Sequence, residues 1–153
     1  MTAYRTVDVD GVEVFYREAG DPGAPTLLLL HGFPTSSTQY QELIDRLSDR
    51  FHLVAPDYPG FGYTEPLEGT TTFERLADVV DGFVQAVNLD HYGLYLFDFG
   101  ARLVRHCYRS LTVSWICFGE SCGARLVCCL GIRHAIRDAC GTYLVFGSLT
   151  TCS

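Results

Sequence analysis

The chain has 153 residues, of which 48% are hydrophobic and 19% charged, with 18 acidic residues against 11 basic ones. This composition excludes a disordered or low-complexity chain, and the excess of acid argues against a nucleic-acid-binding protein, which would concentrate basic residues on one face. The longest apolar run near the start, at 27–30, is too short to span a bilayer, and the first ten residues hold no apolar core of a secretory signal. We therefore predict a cytoplasmic protein that binds neither nucleic acid nor membrane.

The first predicted elements form a β-hairpin. Residues 4–9 and 12–16 alternate between apolar and polar side chains, which is typical of strands with one buried face. The pair Asp10-Gly11 lies between them, and Asp-Gly is a strong signal for a two-residue hairpin turn.

The next elements alternate between strands and helices. Apolar runs without alternation predict strands buried on both faces, and these runs lie at 26–30, 51–55 and 92–97. Helical spacing of apolar residues predicts helices at 39–47 and 73–88, the second with Thr72 as its N-cap. This order predicts an α/β fold in which the hairpin is followed by a parallel sheet with flanking helices.

Each of the three buried strands is followed by an unusual loop. The loops read HGFP at 31–34, PDYPGFG at 56–62 and DFGA at 98–101. Because ligands bind at the carboxyl ends of the strands in an open parallel sheet, we expect the functional site where these loops meet.

The third loop supplies a candidate nucleophile. Asp98, followed by a small residue at Gly100, resembles the nucleophile elbow, a tight turn that holds its central side chain exposed. Leu96, two residues earlier, is larger than the usual Gly or Ala. The alternative interpretation is that Asp98 only N-caps the following helix.

The three loops together, in this order, resemble those of the α/β-hydrolase family. The closest resemblance is to the branch of epoxide hydrolases and haloalkane dehalogenases, in which the nucleophile is Asp rather than Ser. It covers residues 1–101 and implies the N-terminal part of an α/β-hydrolase fold, whereas residues 102–153 do not match. We therefore divide the chain into a hydrolase core at 1–101 and a Cys-rich tail at 102–153, and expect a truncated protein.

The resemblance implies a covalent mechanism. Asp98 would attack an sp3 carbon of a small apolar electrophile, such as an epoxide or an alkyl halide, and form an alkyl ester. The backbone N–H groups of Phe33 and Phe99 would form the oxyanion hole when water attacks this ester. No cofactor is implied, and we assign no metal site.

Other residues of the loops are expected to have structural roles; they are His31, Gly32, Pro34, Asp57 and Gly100. We interpret His31 as a residue that fixes its loop through hydrogen bonds, with general base as the alternative. Asp57 is expected to brace the turn at 56–62, since Asp side chains accept hydrogen bonds from nearby backbone N–H groups.

The sequence also departs from the family. Phe33 and Phe99 stand where dehalogenases of this branch usually have a halide-binding Asn and Trp, so epoxide or ester hydrolysis is favoured over dehalogenation. The cap domain that supplies epoxide-polarising tyrosines in the family has no counterpart.

The hydrolytic step needs a His base, and no motif places His106, or His134 with Asp138, near Asp98. We expect an epoxide hydrolase-like protein with impaired catalysis; the alternatives are an inactive hydrolase fragment and a dehalogenase-like enzyme.

The composition changes abruptly near residue 101. Residues 1–101 carry 16 of the 18 acidic residues and all 6 prolines, and residues 102–153 carry all 7 cysteines. The spacing of the tail residues that could bind zinc matches no standard motif; these are Cys117, Cys122, Cys128, Cys129 and His134. The odd cysteine count also disfavours a disulfide framework.

Our hypothesis for this change is that the reading frame slipped near Ala101. If codons 101–108 are read one base out of step, the residues they can encode are compatible with the sequence of the helix that follows the elbow in the family. The nucleotide sequence of the gene tests this hypothesis. If the tail supplies no further strands, the edge at 92–97 is uncovered and self-association through this edge is expected.

Overall fold

The structure is a computed structural model and describes residues 1–100 and Leu103. The predictions for the cysteines of the tail, for His106, His134 and Asp138 and for the frame slip lie outside the described residues. The described elements are β1 (Ala3–Val9), β2 (Val12–Ala19), β3 (Thr26–Leu30), a 3-10 turn (Ser37–Tyr40), α1 (Gln41–Leu47), β4 (His52–Pro56), α2 (Phe73–Ala86) and β5 (Tyr92–Leu96).

One five-stranded sheet organises these elements, in the order β1-β2-β4-β3-β5. The hairpin strands β1 and β2 are antiparallel, and β2 also pairs antiparallel with β4. Strands β4, β3 and β5 are parallel to one another, with β5 at the end of this order. The predicted α/β fold, with a hairpin followed by parallel strands and flanking helices, is therefore confirmed.

The hairpin turn has the backbone that its sequence predicts. Asp10 has φ 50° and Gly11 has φ 85°, both in the left-handed region that a two-residue type I′ turn requires. The Asp8 carboxylate accepts a hydrogen bond from the Gly11 N–H at 3.3 Å. This turn sets the register in which Val9 faces Val12.

The sheet is covered by a helix on each face, which explains why its central strands lack alternation. In β3, Leu28 and Leu30 pack in the cluster that contains the apolar side of α2, whereas Leu27 and Leu29 pack in the cluster that contains α1. All four leucines are 0% exposed. A strand buried on both faces needs apolar residues at every position.

The two helices differ slightly from their predicted bounds. Helix α1 begins at Gln41 rather than at residue 39, because Ser37–Tyr40 first forms a 3-10 turn that the Ser36 side chain caps. Helix α2 ends at Ala86 rather than at residue 88, because the chain leaves the helix through Asn88, whose φ is 55°. Asn tolerates this left-handed conformation better than most residues.

Helix α2 approaches the hairpin closely. A Cβ atom on Gly82 would lie 2.6 Å from Cγ1 of Val9, so this contact leaves no room for a side chain. Phe83 meets the Tyr16 ring edge-on, with 5.2 Å between the ring centroids. Within the described part of the chain, no helix is long and apolar enough to cross a membrane.

Candidate functional site

The three candidate loops meet at one edge of the sheet because β3, β4 and β5 run parallel and end there. The Phe33 N–H of the first loop donates a hydrogen bond to Oδ2 of Asp98 in the third loop, at 3.0 Å. The Tyr58 N–H of the second loop donates to Nε2 of His31 in the first, at 3.2 Å. The structure thus connects all three loops directly.

Asp98 lies at a sharp turn after β5. Its φ is 48°, a conformation that costs energy for a residue with a side chain and that recurs at functional sites. The turn is closed by the Gly100 N–H, which donates to the Phe97 carbonyl at 2.9 Å, and helical backbone begins at Phe99. The Asp98 side chain is exposed to solvent.

This geometry favours the elbow over the N-cap interpretation. An N-cap side chain accepts from the second or third N–H of its helix, and an N-cap residue has extended backbone. Here the Gly100 N–H is used by Phe97, and the Asp98 carboxylate bonds to Phe33, 65 positions away. The carboxylate is therefore directed across the sheet edge.

Gly100 and Gly32 allow the two loops to come this close. A Cβ atom on Gly100 would lie 2.6 Å from the Leu30 carbonyl oxygen, so a side chain there would push the turn away from β3. A Cβ atom on Gly32 would lie 2.6 Å from the Phe97 ring and 2.8 Å from Cβ of Asp98. Gly100 thus lets the turn approach the backbone of β3, and Gly32 leaves room for the side chains of Phe97 and Asp98.

The two predicted oxyanion-hole donors differ in what they contact. The Phe33 N–H donates to the Asp98 carboxylate, as described above. Phe99 is the first helical residue after the turn, and within the described residues its N–H makes no hydrogen bond to that carboxylate. Pro34 follows Phe33 through a cis peptide bond and is exposed.

His31 is 0% exposed, and both of its ring nitrogens are engaged. Because the Tyr58 N–H donates to Nε2, the ring proton is on Nδ1, which lies 3.0 Å from the Gly32 carbonyl oxygen. Burial lowers the pKa of His31, which favours the neutral imidazole. A general base needs a nitrogen that faces the water it activates, so this geometry supports a structural role.

Asp57 also lies inside the protein, at 1% exposure. One carboxylate oxygen accepts from the Ser37 N–H at 2.6 Å, and the other accepts from the Tyr63 N–H at 3.0 Å. Gly62 passes so close that a Cβ atom there would lie 1.9 Å from the carboxylate. The side chain thus ties the turn at 56–62 to the segment that follows the first loop.

Tyr40 and Gln39 fix the end of β3. The Tyr40 hydroxyl donates to the Leu30 carbonyl at 2.8 Å, and burial raises the pKa of this tyrosine, so it stays a donor. The Gln39 side-chain oxygen accepts from the Gly32 N–H at 3.3 Å. These contacts hold the backbone from which the Phe33 N–H points towards Asp98.

Arg17 of β2, which no sequence pattern singled out, is buried beneath the segment 37–41 at 7% exposure. Its guanidinium donates to Oγ of Ser37 at 3.0 Å, to Oγ1 of Thr38 at 2.9 Å and to the side-chain oxygen of Gln41 at 3.0 Å. An isolated arginine in an alternating strand resembles a solvent-facing residue, so its sequence carries little signal for this role.

A group of rings near the Asp98 turn was not predicted from the sequence either. We call it the phenylalanine cluster, and it consists of Phe33, Phe61, Phe73 and Phe99. Phe33 and Phe99 are stacked, with 5.4 Å between the ring centroids. Phe73 meets Phe99 edge-on at 5.0 Å. Phe61 comes from the loop at 56–62 and Phe73 from the start of α2, and no pattern in the sequence indicated that their rings meet.

Within residues 1–100, no histidine is placed to serve Asp98 as a base. His31 is engaged on both sides, and His52 lies at the start of β4, where it contacts Glu18 and Thr26 at 2.9 and 3.1 Å. His91 precedes β5, and the five residues of that strand span about 17 Å. In the same part of the chain, no group of three His, Cys, Asp or Glu side chains could hold a metal ion.

Comparison with known proteins agrees with this geometry. The sequence profile of the alpha/beta hydrolase fold matches residues 25–109. The chain is 46% identical over 93 residues to the uncharacterized hydrolase YNR064C of Saccharomyces cerevisiae, a match that covers 60% of this chain and 32% of that protein. It is 36% identical over 104 residues to epoxide hydrolase A of Mycobacterium tuberculosis, which covers 65% of this chain and 32% of that protein.

The fold is similar to that of solved enzymes as well. A loop variant of the haloalkane dehalogenase DbeA from Bradyrhizobium elkanii superimposes with a TM-score of 0.69 at 27% identity, over 76% of this chain and 40% of that one. The chain thus spans about a third of the length of the two curated relatives, 32% in each. The matched residues include all three loops, and the chain belongs to the α/β hydrolase fold family, in the branch of the epoxide hydrolases and haloalkane dehalogenases.

Proposed function

We propose that this chain acts as a hydrolase whose Asp98 carboxylate attacks an sp3 carbon of a small apolar epoxide and forms a covalent ester. One observation carries the proposal: Asp98 is exposed at a positive-φ turn, with the Phe33 N–H 3.0 Å from its Oδ2. An ionised carboxylate needs no base for this attack, so the nucleophile itself requires little beyond correct positioning.

The hydrogen bond supports different proposed roles for the two carboxylate oxygens. Oδ1 forms the new C–O bond while the epoxide C–O bond breaks, and the resulting alkoxide takes a proton from water. Oδ2 becomes the carbonyl oxygen of the ester and keeps the Phe33 N–H as its donor. When water attacks the ester carbon, negative charge develops on Oδ2, where this N–H stabilises it. The Phe99 N–H is proposed as the second donor.

The second step separates this function from the alternatives. Hydrolysis of the ester needs a base that takes a proton from the attacking water, and His31 is buried with both nitrogens bonded. A base would have to come from outside residues 1–100. Without one, the chain would be an inactive fragment that is alkylated once. Dehalogenation is the less favoured activity, because the side chains of Phe33 and Phe99 offer no N–H to a halide ion.

The test is intact-mass spectrometry of the full chain incubated with 1,2-epoxyhexane, followed by peptide mapping. We expect a mass increase equal to one epoxide, located on Asp98. Diol formed over many turnovers would show that a base is present, and a stable single adduct would show that it is absent. If no adduct and no diol form, the proposed nucleophile is wrong.

Asp98→Asn is the informative variant, because Asn tolerates positive φ and lacks the nucleophilic carboxylate. We expect it to form no adduct. Asp10→Asn is its matched control, since Asp10 is exposed and has φ 50° against 48° for Asp98. An Asp98→Asn protein that is alkylated as fast as the Asp10→Asn protein would contradict the assignment.

A further inference from the structure

We propose that the phenylalanine cluster makes this site select electrophiles that carry an aryl group on the reacting carbon. This inference rests on the proposed function, because it names the substrate class of the same site. Phe33 would be the residue that determines the preference, through the exposed part of its ring.

The position of Phe33 connects the cluster to the nucleophile. Its N–H donates a hydrogen bond to the Asp98 carboxylate at 3.0 Å. The Phe33 ring is therefore the side chain of a residue that directly contacts the proposed nucleophile. Phe99 follows Asp98 directly in the chain, and its ring is stacked on that of Phe33 with an interplanar angle of 26°. The two stacked rings thus belong to the residue that donates to the Asp98 carboxylate and to the residue that follows Asp98 in the chain.

The remaining rings support this pair from the protein side. Phe73 meets the Phe99 ring edge-on at 5.0 Å, and Phe61 meets it at 6.4 Å. Phe61 also meets the Phe33 ring edge-on at 6.3 Å. Phe61, Phe73 and Phe99 are partly buried against the core, whereas Phe33 is 57% exposed. Phe33 is therefore the member of the cluster with the most exposed surface for a ligand.

The chemistry of the cluster favours a ring over an alkyl chain. Four phenyl groups offer no hydrogen-bond donor, so they can orient a substrate only through apolar and ring contacts. Aromatic pairs gain an attraction beyond that of buried area when they are offset-stacked or edge-to-face. An aryl ring on Phe33 would bring its benzylic carbon towards Asp98, where attack is also chemically favoured because the ring stabilises the developing charge.

The test compares two probes of similar shape, styrene oxide and cyclohexyl oxirane. The rate of adduct formation at Asp98 is measured by intact mass in a single turnover, so that no base is needed. Because intrinsic reactivity differs between the probes, the readout is the ratio of the two rates in each variant. We expect Phe33→Leu, which keeps the backbone N–H, to lower the aryl-to-cyclohexyl ratio by about three- to tenfold.

Tyr4→Leu is the matched control, because Tyr4 is an aromatic residue of the hairpin that is 59% exposed and outside the cluster. Its ratio should equal that of the unchanged chain. An unaltered ratio in Phe33→Leu, with adducts still forming, would overturn the inference and leave the proposed function standing.

A second measurement tests the aryl preference through binding alone, without any reaction at Asp98. Binding of 1-phenyl-1,2-ethanediol and 1-cyclohexyl-1,2-ethanediol to the Asp98→Asn chain is compared by ligand-observed NMR. We expect tighter binding of the phenyl diol, and loss of this preference when Phe33→Leu is added. Equal binding of the two diols would overturn the aryl preference, whether or not Asp98 reacts with epoxides.

Discussion

At the scale of single residues, the His31 imidazole is held between the Gly32 carbonyl and the Tyr58 N–H, in a site from which water is excluded. Burial lowers its pKa from the ordinary value of 6.5. The unfolded chain therefore binds a proton on this residue at a higher pH than the folded chain does. By linkage, the contribution of His31 to stability is complete above about pH 6.5 and falls as the pH falls below that value.

We predict that His31→Gln makes the free energy of unfolding less dependent on pH below 6.5 than it is in the unchanged chain. Urea unfolding over a series of pH values measures this slope. His91→Gln is the control, because it removes a histidine that is exposed before β5 instead of the buried one. A slope that is the same in all three proteins would mean that His31 is not held neutral by burial.

Arg17 shows how a residue far from the reacting group can shape the site. It is buried in β2 and donates to three side chains of the segment 37–41. That segment in turn provides the Ser37 N–H that the Asp57 carboxylate accepts. Buried polar groups of this kind are costly unless they are paired, so the network favours one arrangement of the loops over others.

At the scale of elements, helix α2 begins at a side-chain cap. Oγ1 of Thr72 accepts a hydrogen bond from the Arg75 N–H at 3.3 Å, and the Thr72 backbone is extended, as an N-cap requires. The cap satisfies one of the N–H groups that have no partner within the first turn of a helix.

We predict that Thr72→Ala lowers the free energy of unfolding by about 1 kcal/mol, because this hydrogen bond is lost. Chemical denaturation measures the change. Thr71→Ala is the matched control: Thr71 is an exposed threonine one position earlier, and its replacement should change stability by less than about 0.5 kcal/mol. Equal effects of the two substitutions would show that the side-chain cap contributes nothing.

At the scale of the whole molecule, β5 is the last strand of the described sheet and pairs with β3 on one side. Apolar edge strands can pair with another chain unless something covers or charges them. We therefore propose that copies of this chain associate through the β5 edge. Sedimentation velocity over a range of protein concentrations is expected to show concentration-dependent association.

Two lysine substitutions test which edge is used. Tyr95→Lys replaces a half-buried ring of β5, which meets the Tyr40 ring edge-on at 5.5 Å, with a charge and should reduce association. Thr6→Lys places a charge at an exposed position of β1, at the opposite edge, and should not. Circular dichroism checks that both variants are folded. A single monomeric species at every concentration of the unchanged chain would contradict the proposal.

Local features of the sequence determined the elements. The Asp10-Gly11 pair predicted the hairpin turn, Thr72 predicted the start of α2, and apolar runs predicted the buried strands, because each of these signals acts within a few residues of the chain. The predicted start of α1 was wrong because the residues before it form a 3-10 turn, and apolar spacing alone does not distinguish this turn from an α-helix. The three loops could be located from the sequence because each one directly follows an apolar run that predicts a buried strand.

The tertiary structure decided what no local pattern contains. Only the packed sheet brings the Phe33 N–H onto a carboxylate 65 positions away, buries Arg17 under the segment 37–41 and collects Phe61 and Phe73 around Phe99. The position of β4 between β2 and β3 in the sheet is likewise determined by long-range contacts. The physical reason is that local signals reflect the conformational preferences of neighbouring residues, whereas these contacts depend on which distant surfaces are buried together.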